Sequence, residues 1–147
     1  MLTKPTLIFA ALLASGVSAA AQDMCGDLPI APDILSATEM HARPPAEALT
    51  AMRSAFSEMK RWQGDLKSFR DCLNASINTG SRDISEQQHS DKPDKDKIAK
   101  LQASLKKVND LWNSSVDDEE RIVNRFHAAQ TAYCTRSEID RAICPKT

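Results

Sequence analysis

Two stretches of the chain repeat apolar residues about every seven positions, and they predict its two main helices. From residue 98 to residue 133 the repeat is kept for about five heptads. Its members are Ile98, Leu101, Leu105, Val108, Trp112, Ile122, Phe126, Ala129 and Tyr133. A narrow apolar stripe with this period must lie against another helix, since its side chains would otherwise face water.

The same pattern between residues 49 and 77 predicts the partner helix. Its apolar positions are Leu49, Met52, Phe56, Met59, Trp62, Leu66, Phe69, Leu73 and Ile77. Pro45 suits the first turn of a helix, and Gly80 suits the left-handed residue that follows a helix end. We therefore expect the first long helix to cover about residues 45–78.

An all-α, coiled-coil-like hairpin follows from these two stripes. The polar residues 81–93 predict an exposed loop, which lets a second helix over about residues 94–134 run antiparallel to the first. With the reversal centred near residue 85 or 86, Trp62 and Trp112 fall in one layer between the helices. Such a layer is usually core packing; a ligand pocket lined by two tryptophans is the alternative.

Polar residues at positions 115–119 interrupt the stripe of the second helix. A serine followed by acidic residues can start a new helix, so a kink or break near Ser115 is the alternative to a continuous helix. The acidic run at positions 117–120 is interpreted as a solvated face. A weak calcium site is the alternative, although consecutive helical positions point in different directions. This gap is the first place to look for function.

The first 21 residues have the pattern of a secretory signal peptide. Lys4 precedes an apolar run at positions 7–17, and small residues at Ala19 and Ala21 precede the expected cleavage site. The run is too short to span a bilayer stably, so we expect a periplasmic or secreted protein that is not inserted in the membrane.

The segments on either side of the hairpin differ from it in pattern. Residues 22–44 contain Pro29 and Pro32 and have no helical period, so they predict an extended arm. Within the arm, Ser36 followed by Glu39 has the spacing of a capping box and predicts a short helical turn. Residues 135–147 predict a short helical tail that folds back over the open end of the hairpin.

All four cysteines, Cys25, Cys72, Cys134 and Cys144, follow the signal segment and predict two disulfides in an exported protein. Zinc is the weaker interpretation, because no pair has C-x-x-C spacing. Pairs Cys25–Cys72 and Cys134–Cys144 are favoured, since an arm of about 20 extended residues spans roughly 60 Å, against roughly 40 Å of helix to Cys72. The alternative joins the arm to the tail and leaves Cys72 for the other tail cysteine or a second chain.

Three parts of the chain carry a resemblance to a known group: PIAPDILSATEM in the arm, Cys72-Leu73, and WNSSVDDEERIVNRFHAAQTAY. They are similar to short exported proteobacterial proteins of unassigned function, in which an arm like IPDG-ATATEAEM precedes two long helices. That group has one cysteine before the arm and one in the first helix. The resemblance covers about half of the mature chain, and Pro44-Pro45, Cys134 and Cys144 depart from it. It implies a bacterial periplasmic setting, supports a Cys25–Cys72 pair and implies no activity.

The residue types that carry catalysis or bind metals are scattered. His41, His89 and His127 are far apart in sequence, and no two have the i, i+4 spacing of a helical metal site. The chain has no nucleophile elbow, phosphate-binding loop or dinucleotide fingerprint. A net charge of −1 argues against a nucleic-acid partner. We expect no enzymatic activity, no cofactor and no metal.

These observations favour a disulfide-stapled, non-enzymatic binding or structural protein of the cell envelope. The alternative is an inhibitor or immunity-type protein that blocks an envelope enzyme with loop 81–93 or the acidic turn. Two helices that bury one stripe each form a thin core for a chain of this length. A homodimer in the form of a four-helix bundle, or another protein partner, would complete that core.

Overall fold

The computed structural model describes residues 25–145, and they form an all-α hairpin. Helix α1 is Ala37–Ala42, α2 is Pro45–Gln88 and α3 is Lys95–Cys134. Helices α2 and α3 pack against each other in antiparallel directions, so the predicted fold class is confirmed. The predicted signal peptide lies outside the described residues. Among the described helices, none is both long and apolar enough to cross a membrane.

Helix α1 begins at the capping box that the sequence predicts. The Glu39 backbone N–H donates to Ser36 Oγ at 3.2 Å, and the Ser36 backbone N–H donates to the Glu39 carboxylate at 2.7 Å. The Ser36 hydroxyl also donates to the Glu39 carboxylate at 2.7 Å, and this hydrogen bond, followed by the one from the Ser36 backbone N–H, holds the pKa of Glu39 below its usual range. Helix α2 then starts with Pro45 in its first turn, as predicted.

Helix α2 ends at Gln88, so the prediction that it ends near residue 78 is wrong. Gly80 lies inside the helix and faces α3, where a Cβ atom would be 3.6 Å from Leu105 Cδ1. Ile84 lies one heptad after Ile77, and both side chains are half-buried, so the apolar stripe continues past the glycine. This packing outweighs the cost of about 1 kcal/mol for glycine in a helix. The predicted loop 81–93 is therefore reduced to residues 89–94.

The longer α2 moves the reversal of the chain and changes which residues face each other. A hydrogen bond joins Gln63 to Glu119, and another joins Arg70 to Ser115. The midpoints of these pairs lie at about residue 92, not at residue 85 or 86. The residue of α3 that faces a given residue of α2 is therefore shifted by about 12 positions, which is more than three helical turns.

The shifted register separates the two tryptophans, so the predicted tryptophan layer is wrong. Trp62 belongs to the larger core cluster, which includes Ile122 of α3. Its Nε1 donates to the Pro29 carbonyl oxygen at 3.0 Å and holds the arm against α2. Trp112 packs against the smaller cluster of Phe69, Leu73 and Val108. A pocket lined by both tryptophans does not form.

The arm and the tail add the contacts that a bare hairpin lacks. The structure has both disulfides favoured from the sequence: Cys25–Cys72 fixes the start of the arm to α2, and Cys134–Cys144 fixes the tail to the end of α3. Ile34 and Met40 of the arm and α1 are fully buried in the larger cluster.

The tail folds back over the open end of the hairpin, as the sequence predicts. Its only helical part among the described residues is the 3-10 turn Arg141–Ile143. The Tyr133 hydroxyl donates to the Asp140 carbonyl oxygen at 3.1 Å, and Gln130 Nε2 donates to the Ile143 carbonyl oxygen at 3.0 Å. Ile143 is thereby held beside α3.

Candidate binding groove

A groove runs between α2 and α3 on the face of α2 that the arm does not contact. The arm contacts α2 through Trp62 and Cys72, which point more than about 100° away from Phe56 around the helix. We call this surface the open groove. Its residues are Met52, Arg53, Phe56, Lys60, Gln63, Lys67 and Arg70 of α2, Ser115, Glu119, Phe126 and Gln130 of α3, and Ile143 of the tail.

The end of the open groove nearer the hairpin reversal is a polar cluster around Arg70. Its Nε donates to Ser115 Oγ at 2.8 Å, and its two Nη atoms donate to the Glu119 carboxylate and the Ser115 carbonyl oxygen. Gln63 Nε2 donates to the other oxygen of Glu119 at 2.8 Å. Ser115 is fully buried and donates its own hydroxyl proton to the Trp112 carbonyl oxygen at 2.6 Å.

This cluster explains the polar gap in the stripe of α3. Helix α3 runs through Ser115 without a break, so the kink considered from the sequence is absent. The apolar stripe stops at Ser115 because a guanidinium group from the opposite helix occupies that layer, and a small hydroxyl side chain leaves room for it. Both partners of the Arg70–Glu119 ion pair are largely shielded from water, with side chains 18% and 29% exposed.

The surroundings of Glu119 keep it charged. The hydrogen bond from Arg70 lowers the pKa of Glu119 below its usual value of 4.5; partial burial opposes this effect, and the hydrogen bond from Gln63 adds to it. A general base that works near neutral pH needs a pKa close to 7. The cluster is therefore suited to holding the helices in register, and less suited to proton transfer.

The acidic run and the histidines do not converge on a metal site in the described residues. Asp118 pairs with Arg121 at 2.8 Å, while Glu119 pairs with Arg70. His41, His89 and His127 are exposed at three distant places: on α1, after α2 and on α3. Between residues 25 and 145, no three histidine, cysteine, aspartate or glutamate side chains are grouped as metal ligands would be.

The other end of the open groove is an apolar pocket of about 220 Å³. It is lined by Met52, Arg53, Phe56, Phe126, Gln130 and Ile143. Phe56 is 51% exposed, and its ring centroid is 6.0 Å from that of Phe126. The prediction that Phe56 lies in the buried stripe is wrong, because a helix of 3.6 residues per turn drifts relative to a seven-residue ladder. Ala55 takes the buried position instead, while Met59 is buried as predicted.

Positive side chains border the pocket along α2. Arg53 and Lys60 are seven residues apart, on either side of Phe56, and therefore share one face of the helix. Arg53 is 3.5 Å from Asp140 in a pair whose side chains are 60% and 48% exposed. In the described part of the chain, the Lys60 ammonium group contacts the Gln63 amide at 3.3 Å and lies 5.8 Å from the Phe56 ring centroid, rather than pairing with a carboxylate.

Comparison with protein-family models, with curated proteins and with solved structures finds no match. Function is therefore inferred from the geometry of the open groove itself.

The lowered pKa of Glu119 predicts a pH dependence of stability. At pH values between the folded-state pKa of Glu119 and the usual value of 4.5, the unfolded chain binds more protons than the folded chain. The stabilisation from Glu119 is therefore complete above pH 4.5 and is lost as the pH falls through the folded-state pKa. We expect Glu119→Gln to lower stability at pH 7 and to flatten its decline between pH 5 and 3. Urea unfolding followed by circular dichroism measures both effects. Glu58→Gln, on another face of α2, is the control. If the stability of Glu119→Gln declines between pH 5 and 3 as steeply as that of the parent chain, the prediction is wrong.

Proposed function

We propose that this chain is an exported, non-enzymatic binding protein of the cell envelope, and that it binds through the open groove. The observation that carries the proposal is the apolar pocket beside Phe56, on a scaffold held by two disulfides. The centre of a protein interface is typically an aromatic or arginine anchor next to a well-packed pocket. Phe56, Arg53 and the pocket between them have this composition.

The scaffold supports the proposal because it keeps the groove in one shape. Ile143, which closes one end of the pocket, is held by the Gln130 hydrogen bond and lies next to the cystine Cys134–Cys144. A preformed site loses less conformational entropy on binding than a flexible one. The disulfides also fit the export that the first 21 residues predict, since they persist in oxidising compartments.

The inhibitor hypothesis stays a prediction and has lost part of its basis. Residues 81–88 are helical, so only residues 89–94 are available as an irregular loop between α2 and α3. In the acidic turn, Glu119 is engaged by Arg70 and Asp118 by Arg121. The open groove is the better-supported contact surface.

The test compares two exposed apolar side chains, Phe56 and Ile30, of which Ile30 is 94% exposed and lies on the arm. We expect a protein partner to co-purify from the envelope fraction with the parent chain and with Ile30→Ser. Phe56→Ser should weaken its binding at least about tenfold, the effect of removing an interface anchor. Quantitative mass spectrometry after cross-linking measures how much partner is recovered with each variant. Titration with the purified partner measures the change in affinity.

The same preparation tests export through the state of the four cysteines. Alkylation of cells before lysis should leave all four unmodified in the parent chain, because they are in disulfides in the envelope fraction. The proposed function is overturned if Phe56→Ser recovers as much partner as the parent chain does. It is also overturned if the four cysteines are found as reduced thiols in a cytoplasmic fraction.

A further inference from the structure

We propose that the open groove binds an acidic amphipathic helix of a partner protein, with one large apolar side chain of that helix in the pocket beside Phe56. This inference rests on the proposed function and specifies the chemistry of the partner. Three properties of this surface lead to it: the size of the pocket, the charges along α2 and the length of α2 over which the positive charges extend.

The size of the pocket indicates a single anchor side chain. Its volume of about 220 Å³ is below the roughly 300–1,000 Å³ of pockets that take small-molecule ligands. It is above the roughly 150 Å³ of a cavity that holds one benzene molecule. An aromatic or leucine side chain fits this space, and its apolar surface would cover the exposed half of Phe56.

The charges along α2 indicate an acidic partner. Arg53, Lys60 and Lys67 follow one another at intervals of seven residues, so they form a positive row along the groove. The carboxylates near this row are Asp140 beside Arg53 and Asp71 beside Lys67, both in exposed pairs that are worth little in water.

Glu119, on the facing side of α3, is engaged by Arg70. Lys60, at the centre of the row, directly contacts an amide and a ring, and its charge acts on Glu119 without forming an ion pair with it in the described residues. Acidic side chains spaced seven residues apart on an incoming helix would pair with this row.

The length of the positive row suits a helix. From Arg53 to Lys67 the row follows α2 for about 21 Å, the length of about four helical turns. An amphipathic helix commonly binds in such a groove, with its anchors on one face. The arm already occupies the other side of the hairpin, so a helix in the open groove would be a further layer on the hairpin.

A second copy of this chain fits the open groove less well. If a two-fold axis pairs the two grooves antiparallel, Arg53 of one copy lies near Lys60 of the other. If the grooves are parallel, each cation lies near the same residue of the other copy. Like charges placed opposite one another at an interface disfavour it. The bundle homodimer, if it forms, is expected to use another face.

The test uses two synthetic probes, 18-residue alanine-based helical peptides that each carry one phenylalanine anchor. One has three glutamates at seven-residue intervals on the anchor face, and the other has three lysines there. We expect the glutamate peptide to bind the parent chain at least about tenfold more tightly, with affinity falling as salt rises. Isothermal titration measures affinity, and NMR shifts should be largest for Phe56, Phe126 and Ile143.

The deciding variant is the exposed double substitution Arg53→Glu/Lys60→Glu, which should reverse the preference between the two peptides. Its matched control, Lys97→Glu/Lys100→Glu, makes the same change in net charge near the start of α3 and should leave the preference unchanged. Circular dichroism checks that each variant is folded. Because both substituted groove residues are exposed, we expect the fold to be retained.

Several results overturn the inference. These are equal binding of the two peptides, no reversal in the groove variant, or NMR shifts that lie outside the open groove. Self-association that Phe56→Ser abolishes, without binding of the glutamate peptide, identifies a second copy as the occupant, and binding of anionic vesicles in place of the peptide identifies a lipid surface. In each case a Phe56-dependent protein partner would still support the proposed function, so the two proposals fail separately.

Discussion

Replacing both Cys25 and Cys72 by alanine should lower the free energy of unfolding by about 4 kcal/mol, the largest effect expected in this chain. The disulfide joins residues separated by 47 positions, and the entropy that it removes from the unfolded chain grows with the length of the closed loop. The tail disulfide spans only 10 positions, so Cys134→Ala/Cys144→Ala should cost about 3 kcal/mol.

Urea unfolding of both double variants, followed by circular dichroism, measures this difference. Loss of Cys25–Cys72 should also loosen the start of the arm, which the Trp62 hydrogen bond to Pro29 and the packing of Leu28 then hold near that end. Limited proteolysis should therefore cut the arm faster in this variant than in the tail variant. A larger loss of stability in the tail variant would contradict the expectation.

Outside the disulfides, the largest expected effect comes from Arg70→Met, which should lower the free energy of unfolding by about 2–3 kcal/mol. The substitution leaves the Glu119 carboxylate and the buried Ser115 hydroxyl without their charged partner, and an orphaned polar group in a shielded position is costly. Arg70→Lys should recover only part of the loss, because an ammonium group cannot reproduce the three hydrogen bonds of the guanidinium group.

Two controls separate this effect from a general loss of charge. Lys67→Met removes a cation one turn earlier, from a pair whose side chains are 77% and 62% exposed, and should change stability by less than about 0.5 kcal/mol. Arg70→Leu/Glu119→Leu should be more stable than Arg70→Met alone, since it leaves no unpaired carboxylate. Equal stability of Arg70→Met and Lys67→Met would show that the cluster does not hold the helices together.

The candidate site was only partly visible in the sequence. The polar gap at residues 115–119 marked the place where α3 departs from its stripe, and the cluster lies there. The partner of the gap, Arg70, could not be named, because its identity depends on how α2 and α3 are aligned. The available signal was an arginine at an otherwise apolar position of the first stripe.

The apolar pocket was not predicted at all. Phe56 was placed in the buried stripe, and the pocket beside it exists only because Ile143 of the tail returns to α3. A contact between residues so far apart in sequence has no local pattern. Helical drift explains the exposure of Phe56, yet only packing against α3 shows which side of the ladder stays buried.

Local sequence patterns predict the fold class and the starts of the two long helices, and they favour the disulfide pairs that the structure has. These depend on local periodicity, on caps such as Ser36 and Pro45, and on how far an extended arm reaches. The end of α2, and with it the register of the hairpin, depends on tertiary contacts. Gly80 alone signals a helix end, but its contact with Leu105 keeps it helical. The separation of the tryptophans, the Arg70 cluster and the open groove follow from that register, because each depends on contacts between residues distant in the chain.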